Sequence, residues 1–214
     1  MSQGKLIAFE GIDGCGKETQ AKLLYKTLKK EKVKVKYISF PRYEELACLP
    51  VSLYLKGGLG DVNPQTASLL FAMDRLDAKK QIKKWLKAGY LVISNRYVMS
   101  NIVHQGARLN EGKERTDYIN WIEDIEYNQM AIPRPGLQII FNCTVAIAQK
   151  LRDMRNRTPD ILEKDRAYQE KVSACYRELS EKNPQNIIGI DCVKNNEMRS
   201  IEDIQKEVYS KIKL

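Results

Sequence analysis

Apolar residues follow two rhythms along this chain. Residues 5–11, 33–40, 90–95, 136–143 and 186–191 are short apolar or β-branched runs that glycine, proline or asparagine bounds, and they read as five strands. Between them the apolar positions recur at helical spacing. In residues 17–32 this places Ala21, Leu24, Tyr25 and Leu28 on one face. A short helix is expected over 46–56, closed by Gly57 and Gly58, and a long one from Pro64 to Gly89. Further helices are expected over 98–109, 114–129, 144–155 and 164–182, with a last one from Ser200. Strands that alternate with helices and are apolar throughout belong to a parallel sheet covered on both faces. The expected fold is therefore α/β and doubly wound, with a five-stranded parallel sheet. No repeat, low-complexity tract or linker divides it, so residues 1–214 read as a single domain.

Such sheets bind ligands beyond the carboxyl ends of their strands. Three loops gather at that rim. "FPR" (40–42) follows the second strand, "NRY" (95–97) follows the third, and a glycine-rich loop follows the first. That loop lies in "FEGIDGCGKETQ", where Gly11, Gly16 and Lys17 satisfy G-x-x-x-x-G-K. Its glycines let successive backbone N–H groups curl round an anion, and the helix that follows points its N-terminus at the same place. The strand before it and the helix after it favour a phosphate cradle over an ordinary glycine-rich turn. The expected nucleotide-phosphate loop comprises Gly11, Ile12, Asp13, Gly14 and Cys15, then Gly16, Lys17, Glu18 and Thr19. The residue after the lysine is normally Ser or Thr, whose hydroxyl holds Mg²⁺. Here it is Glu18, and the hydroxyl comes one place later.

Composition narrows the class. With 43% hydrophobic residues the chain can bury a sizeable core. It shows no signal-peptide pattern and no run long enough to span a membrane, so a cytoplasmic protein without membrane association is expected. Five scattered cysteines without C-x-x-C speak against a disulfide framework or a zinc site, and one histidine speaks against histidine-based chemistry. The net charge of +9 admits nucleic acid as a partner. Many of the lysines, however, fall in "YKTLKKEKVKVKY", which reads as solvated surface, and no aromatic residues alternate with arginines. The reading as a nucleic-acid-binding NTPase also wants a strand that ends in acidic residues, and none follow "LVIS" here.

The arginines suggest two phosphates rather than one. Arg42 and Arg96 follow strands two and three, and Arg75 lies on the long helix between them in sequence. Arg152, Arg155 and Arg157 form a second group before strand five, in a segment of about 150–165 that could close as a lid. Guanidinium forks grip phosphate oxygens bidentately and stay charged. A kinase acting on a nucleotide has to hold two such anions against each other.

These residues together resemble the thymidylate kinase family of P-loop nucleoside monophosphate kinases. "FEGIDGCGK" is similar to that family's opening and "FPR" to its acceptor-phosphate loop. "SLLFAMDR" (68–75) is similar to its LLF-x-x-x-R helix, "NRYVMSNIVHQG" (95–106) to its DRY-x-x-S segment, and "NIIGID" to its last strand. The resemblance implies a P-loop NTPase-type fold and transfer of the γ-phosphoryl group of ATP to dTMP, giving dTDP on the way to dTTP. It implies Mg²⁺ as cofactor and a homodimer packed through helices far from the rim. Lys17 would hold the donor phosphates, with Arg96 and the lid arginines Arg152, Arg155 and Arg157 acting on the transferring group. Asp13 would bind the deoxyribose 3′-hydroxyl. Phe40 would belong to the acceptor-phosphate loop, and Arg42 would hold the acceptor phosphate. Phe71 would stack on thymine, Arg75 would reach the base edge, and Ser100, Asn101 and Gln105 would line the base pocket. Relatives that carry an arginine inside the loop have it where this chain has Gly14, so here the lid has to supply it.

Two positions depart from the family pattern, and both concern the metal. The aspartate of DRY is Asn95, and the Ser/Thr after Lys17 is Glu18. The expectation is a coupled exchange, in which Glu18 supplies the hard oxygen that position 95 has lost. The alternative is a catalytically weak nucleotide-binding sensor of the same fold.

Overall fold

A computed structural model describes residues 3–154, 160–181 and 185–212. Five parallel strands form one sheet: β1 (Leu6–Glu10), β2 (Val35–Ser39), β3 (Leu91–Asn95), β4 (Leu137–Asn142) and β5 (Ile187–Asp191). Their order is β2-β3-β1-β4-β5. β1 is central, and all five of its residues are buried, as a run apolar on both faces requires. The polar member of that run, Glu10, is wholly buried at its carboxyl end.

Helix α1 (Lys17–Lys30) starts directly from the glycine loop and buries Ala21, Leu24 and Leu28. The expected short helix is a 3₁₀ turn, Leu46–Cys48, that runs into α2 (Leu49–Leu55). The long helix is α3 (Pro64–Lys87), with Pro64 in its first turn and Asn63 Oδ1 accepting from Thr66 N at 2.7 Å. α4 (Val98–Gly106) ends three residues before the expected boundary, because the chain from Ala107 to Leu109 tightens into i→i−3 turns. α5 (Lys113–Glu123) widens into a π-helical stretch, Asp124–Gln129, which the sequence periodicity did not separate from it. α6 (Val145–Asp153), α7 (Arg166–Glu181) and α8 (Ile201–Lys211) complete the layers. One element was not foreseen, a small hairpin of β6 (Val193–Lys194) and β7 (Glu197–Met198). Its two turn residues, Asn195 and Asn196, have φ of 52° and 60°, the left-handed pair that such a turn needs.

Two apolar clusters hold the helices to the sheet. One contains Phe9, Leu24, Leu28, Ile93, Ile139, Tyr176 and Val208, and the other contains Ala8, Ile38, Phe40, Ile82, Val92 and Tyr97. Ala8 and Phe9, neighbours on β1, therefore serve opposite layers, as period-two alternation demands. A smaller cluster of Cys48, Val51, Tyr54 and Leu55 joins α2 to Ala67 of α3. Cys143 and Cys192 are core thiols, as their strand-like contexts suggested.

Candidate active site

Everything expected at the rim is built on the carboxyl ends of β1, β2 and β3. The loop after β1 turns through left-handed glycines, with φ of 92° at Gly14 and 86° at Gly16, the residue that opens α1. Gly14 is also a close approach, since a Cβ there would stand 2.1 Å from Ala148 O on α6. An arginine at that position would need the loop and α6 to part. Lys17 is buried, its Nζ donating to Ile12 O at 3.1 Å and standing 3.5 Å from Asp13 Oδ1. Arg152 reaches the loop from α6, with Nη1 donating to Asp13 O at 2.6 Å. Arg155 and Arg157 lie outside the described residues.

Arg96 occupies the centre. Its backbone is left-handed (φ 64°), a conformation that a non-glycine residue holds only when its surroundings fix it. Here Arg96 N donates to Phe9 O at 2.9 Å, and Arg96 O accepts from Ser94 Oγ at 2.6 Å. The next N–H, of Tyr97, donates to Glu10 Oε1 at 2.8 Å. The guanidinium then meets three partners: Asp13 Oδ1 at 2.8 Å, Ser100 Oγ at 2.8 Å and His104 Nε2 at 3.1 Å. Burial alone would raise the Asp13 carboxyl, but the charges of Arg96 and Lys17 hold it well below the ordinary range. Burial raises Glu10, against the opposing hydrogen bond from Ser100.

His104 is buried, and burial followed by the Arg96 charge lowers it to about 3. Arginine can only donate, so Nε2 accepts from it and the proton sits on Nδ1, facing Tyr168 Oη at 3.1 Å. Tyr168 Oη in turn donates to His104 O at 2.8 Å. The imidazole is a neutral prop for Arg96, not a proton carrier.

Two cavities open on this centre. One, of about 620 Å³ including its mouth, has Phe71, Arg75, Ser100, Asn101 and Gln105 on its walls, with His104, Asp160 and Leu162. The other, of about 830 Å³ including its mouth, is lined by the glycine loop through Lys17 and Glu18, with Ser39 and Asn95 opposite. They meet along Asp13, Phe40, Pro41, Tyr43 and Arg96, which line both. Of the expected site residues, Arg42 lines neither cavity. Its Nε and Nη2 are held on α3 by Asp74 Oδ1 at 2.7 Å and Asp77 Oδ2 at 2.6 Å, and the tyrosine after it takes the place on the shared wall. Arg75 lines the first cavity, the one with Phe71 on its wall, with its guanidinium paired bidentately to Glu126, at 2.5 and 2.6 Å.

The Phe71 cavity carries unspent hydrogen-bonding atoms. Asn101 Nδ2 donates to Ser68 O at 3.0 Å and to Glu126 Oε1 at 2.9 Å, which leaves the buried Oδ1 without a partner. Gln105 Oε1 accepts from Arg108 Nη1 at 2.9 Å, which leaves the buried Nε2 without one. Phe71 is half-buried, edge-on to Tyr54 with ring centroids 6.2 Å apart. The segment after the undescribed stretch closes one side, where Ile161 N donates to Leu55 O at 3.2 Å. Asp160 caps that turn through the N–H groups of Leu162 and Glu163, and burial raises its carboxyl to about 6.

Sequence reasoning missed Glu10, Tyr43, Glu126, Asp160 and Tyr168. Glu10 left a trace, a carboxylate inside an apolar strand. Glu126 left none, because "EDIEYNQ" reads as an exposed helical turn.

A parallel sheet in this order, with a phosphate loop after its central strand and a second pocket sharing its arginine, defines a P-loop nucleotide kinase. Residues 9–208 match the family model for thymidylate kinase, and the chain belongs to that family. It is 31% identical to the thymidylate kinase of Mycobacterium tuberculosis (strain H37Rv) over 186 residues, 82% of this chain and 85% of that one. It is 33% identical to the probable thymidylate kinase of Pyrococcus horikoshii over 216 residues, 99% and 97% of the two chains. The solved thymidylate kinase of Candida albicans superposes with a TM-score of 0.77 at 25% identity, covering 98% of this chain and 92% of its own.

Proposed function

We propose that this protein transfers the γ-phosphoryl group of ATP to dTMP, giving dTDP and ADP. The observation that carries the reading is the shared wall. A phosphate loop and a base-sized pocket meet at Arg96 and Asp13, so two phosphates can face each other there. In the Phe71 cavity an unpartnered acceptor, Asn101 Oδ1, a donor, Gln105 Nε2, and the Arg75 guanidinium suit the N–H and carbonyl oxygens of a thymine edge. Phe71 offers the ring on which the base stacks.

The chemistry asks for positioning and charge rather than covalent help. The attacking oxygen belongs to an ionised phosphate, so no general base is needed. That agrees with a histidine held neutral by its surroundings. Lys17 and the loop N–H groups hold the donor phosphates, and Arg96 spans donor and acceptor. Arg152 stays beside the loop, bonded to Asp13 O. When nucleotide arrives, its phosphates compete with Asp13 for Lys17 and Arg96.

Mg²⁺ fits beside this loop. Asn95 donates through Nδ2 to Ser39 Oγ at 2.9 Å and leaves a buried Oδ1 without a partner on the wall of the glycine-loop cavity, which Glu18 also lines. These two oxygens would hold the ion or its waters, as a cation that keeps several waters permits. Bound there, Mg²⁺ would neutralise charge on the β- and γ-phosphates.

A homodimer is the proposed assembly. Leu46, Leu49 and Leu53, on the 3₁₀ turn and α2, are exposed, as is a stripe of Leu69, Met73 and Leu76 on α3. This face adjoins the site rather than lying far from it. The cytoplasm is the proposed compartment, since all five cysteines are free thiols. No described helix is long and apolar enough to cross a membrane.

The test is ADP release from Mg-ATP with dTMP, run beside dUMP, dCMP, UMP and AMP. Turnover led by dTMP supports the reading, and equal turnover with AMP would overturn it.

A further inference from the structure

Arg75 on α3 and Asn101 on α4 come from different elements, yet one group holds both. Glu126 sits in the π-helical stretch after α5 and is wholly buried. Its two oxygens serve three donors: Arg75 Nε at 2.5 Å, Arg75 Nη2 at 2.6 Å and Asn101 Nδ2 at 2.9 Å. A carboxylate can only accept. It therefore fixes which end of the Asn101 amide turns toward it. Ser68 O, the second acceptor at 3.0 Å, enforces the same choice. Turning the amide over would set its oxygen against two other oxygens. Asn101 Oδ1 is thus left as a fixed acceptor in the cavity, while Arg75 keeps Nη1, unbonded among the described residues, as a fixed donor.

We propose that Glu126 sets the hydrogen-bond polarity of the base site, so that the site takes a pyrimidine with an imide N–H and rejects one with a bare ring nitrogen. The proposal rests on the reading of the Phe71 cavity as the dTMP site. Thymine and uracil offer N3–H to an acceptor and O4 to a donor. Cytosine offers N3 as a lone pair and N4 as a donor, so both of its edge atoms meet the wrong partner. A site whose buried polar atoms go unpaired with the wrong ligand discriminates strongly. Glu126 touches no substrate in this scheme. It is a positioning residue acting through Arg75 and Asn101.

Glu126→Gln keeps the shape but offers one acceptor oxygen to three donors and adds two donors of its own. The Asn101 amide then loses the charge that orients it. Titration calorimetry with dTMP, dUMP and dCMP on wild type and variant, and with ATP as control, tests the idea. Wild type should favour dTMP and dUMP over dCMP. The variant should lose at least tenfold of the dTMP-to-dCMP preference while its ATP affinity stays within twofold. A role confined to stability would leave the preference intact.

Wild-type preference with an unchanged ratio in Glu126→Gln would overturn the role of Glu126 alone. Absence of dTMP binding or of preference in wild type would overturn the reading of the cavity itself. If the variant does not fold, wild type labelled with ¹⁵N-asparagine decides the matter. The Asn101 Nδ2 protons should stay bonded and protected with dTMP bound, and rotation of that amide on binding either nucleotide would contradict the proposal.

Discussion

Replacing Arg75 by methionine removes one half of a buried ion pair and leaves the other in place. Methionine fills similar space without a charge, and Glu126 keeps only Asn101 as a donor. Both partners are almost fully sequestered, at 3% and 0% side-chain exposure, so solvent cannot relieve the carboxylate. Breaking such a pair costs about 3–5 kcal/mol. A second route gives a ceiling, because a carboxylate can take up a proton instead of staying charged. At pH 7 this costs an ordinary glutamate about 1.36 kcal/mol for each unit above ~4.3, or roughly 3.7 kcal/mol. The variant should therefore be about 3–4 kcal/mol less stable at pH 7, a large share of the ~5–15 kcal/mol that folded domains possess. The same arithmetic at pH 5 gives about 1 kcal/mol. The sign follows from linkage. The variant's folded state would hold a proton that the unfolded chain sheds, so its stability falls as pH rises. Arg75→Met with Glu126→Gln leaves no charge behind and should recover about 2 kcal/mol or more of the loss at pH 7. Urea unfolding of the three proteins at pH 5, 6, 7 and 8 measures all of this. A loss that is the same at every pH, or a double variant no better than the single one, would refute the reasoning.

Four further outcomes are expected. Arg96→Lys keeps the charge but not the fork that joins Asp13, Ser100 and His104. Losing about 3 kcal/mol of charge-assisted bonding should slow single-turnover transfer about 100-fold, and an equal fall in dTMP affinity would contradict the assignment. Asp160 is raised from 3.8 to about 6, so its contribution to stability is complete below pH 4 and is lost as pH rises through 6. Asp160→Asn removes that loss, so above pH 7 it should be more stable than wild type by up to about 3 kcal/mol, with no gain at pH 4, in denaturant titrations. Leu49→Glu with Met73→Glu should yield monomers in sedimentation velocity where wild type is dimeric; an unaltered dimer would place the interface elsewhere. Glu18→Ser should raise the Mg²⁺ concentration needed for half-maximal rate, and adding Asn95→Asp should bring it back, whereas additive losses would separate the two positions.

The sheet was legible because parallel strands buried on both faces leave unbroken apolar runs, and turn residues mark their ends. The phosphate loop was legible because its backbone geometry demands glycines at fixed spacing. Arg96 and Asn101 could be placed because they sit within a few residues of a strand end. Arg42 shows the limit of that inference. It follows β2 as expected, but Asp74 and Asp77, more than 30 residues away, draw its side chain onto α3. Glu126 shows the deeper limit. A buried carboxylate and an exposed one look alike in sequence, and only the packing of α3, α4 and α5 decides between them. The β6–β7 hairpin was hidden because its two-residue strands are too short to show a period.

The central claim is that the two cavities place two phosphates against each other at Arg96. Incubation with γ-labelled ATP, Mg²⁺ and dTMP tests it directly, with label followed into dTDP and into inorganic phosphate. Label should pass to dTDP, with little inorganic phosphate formed. Label released mainly to water, or retained on ATP while dTMP is bound, would contradict it.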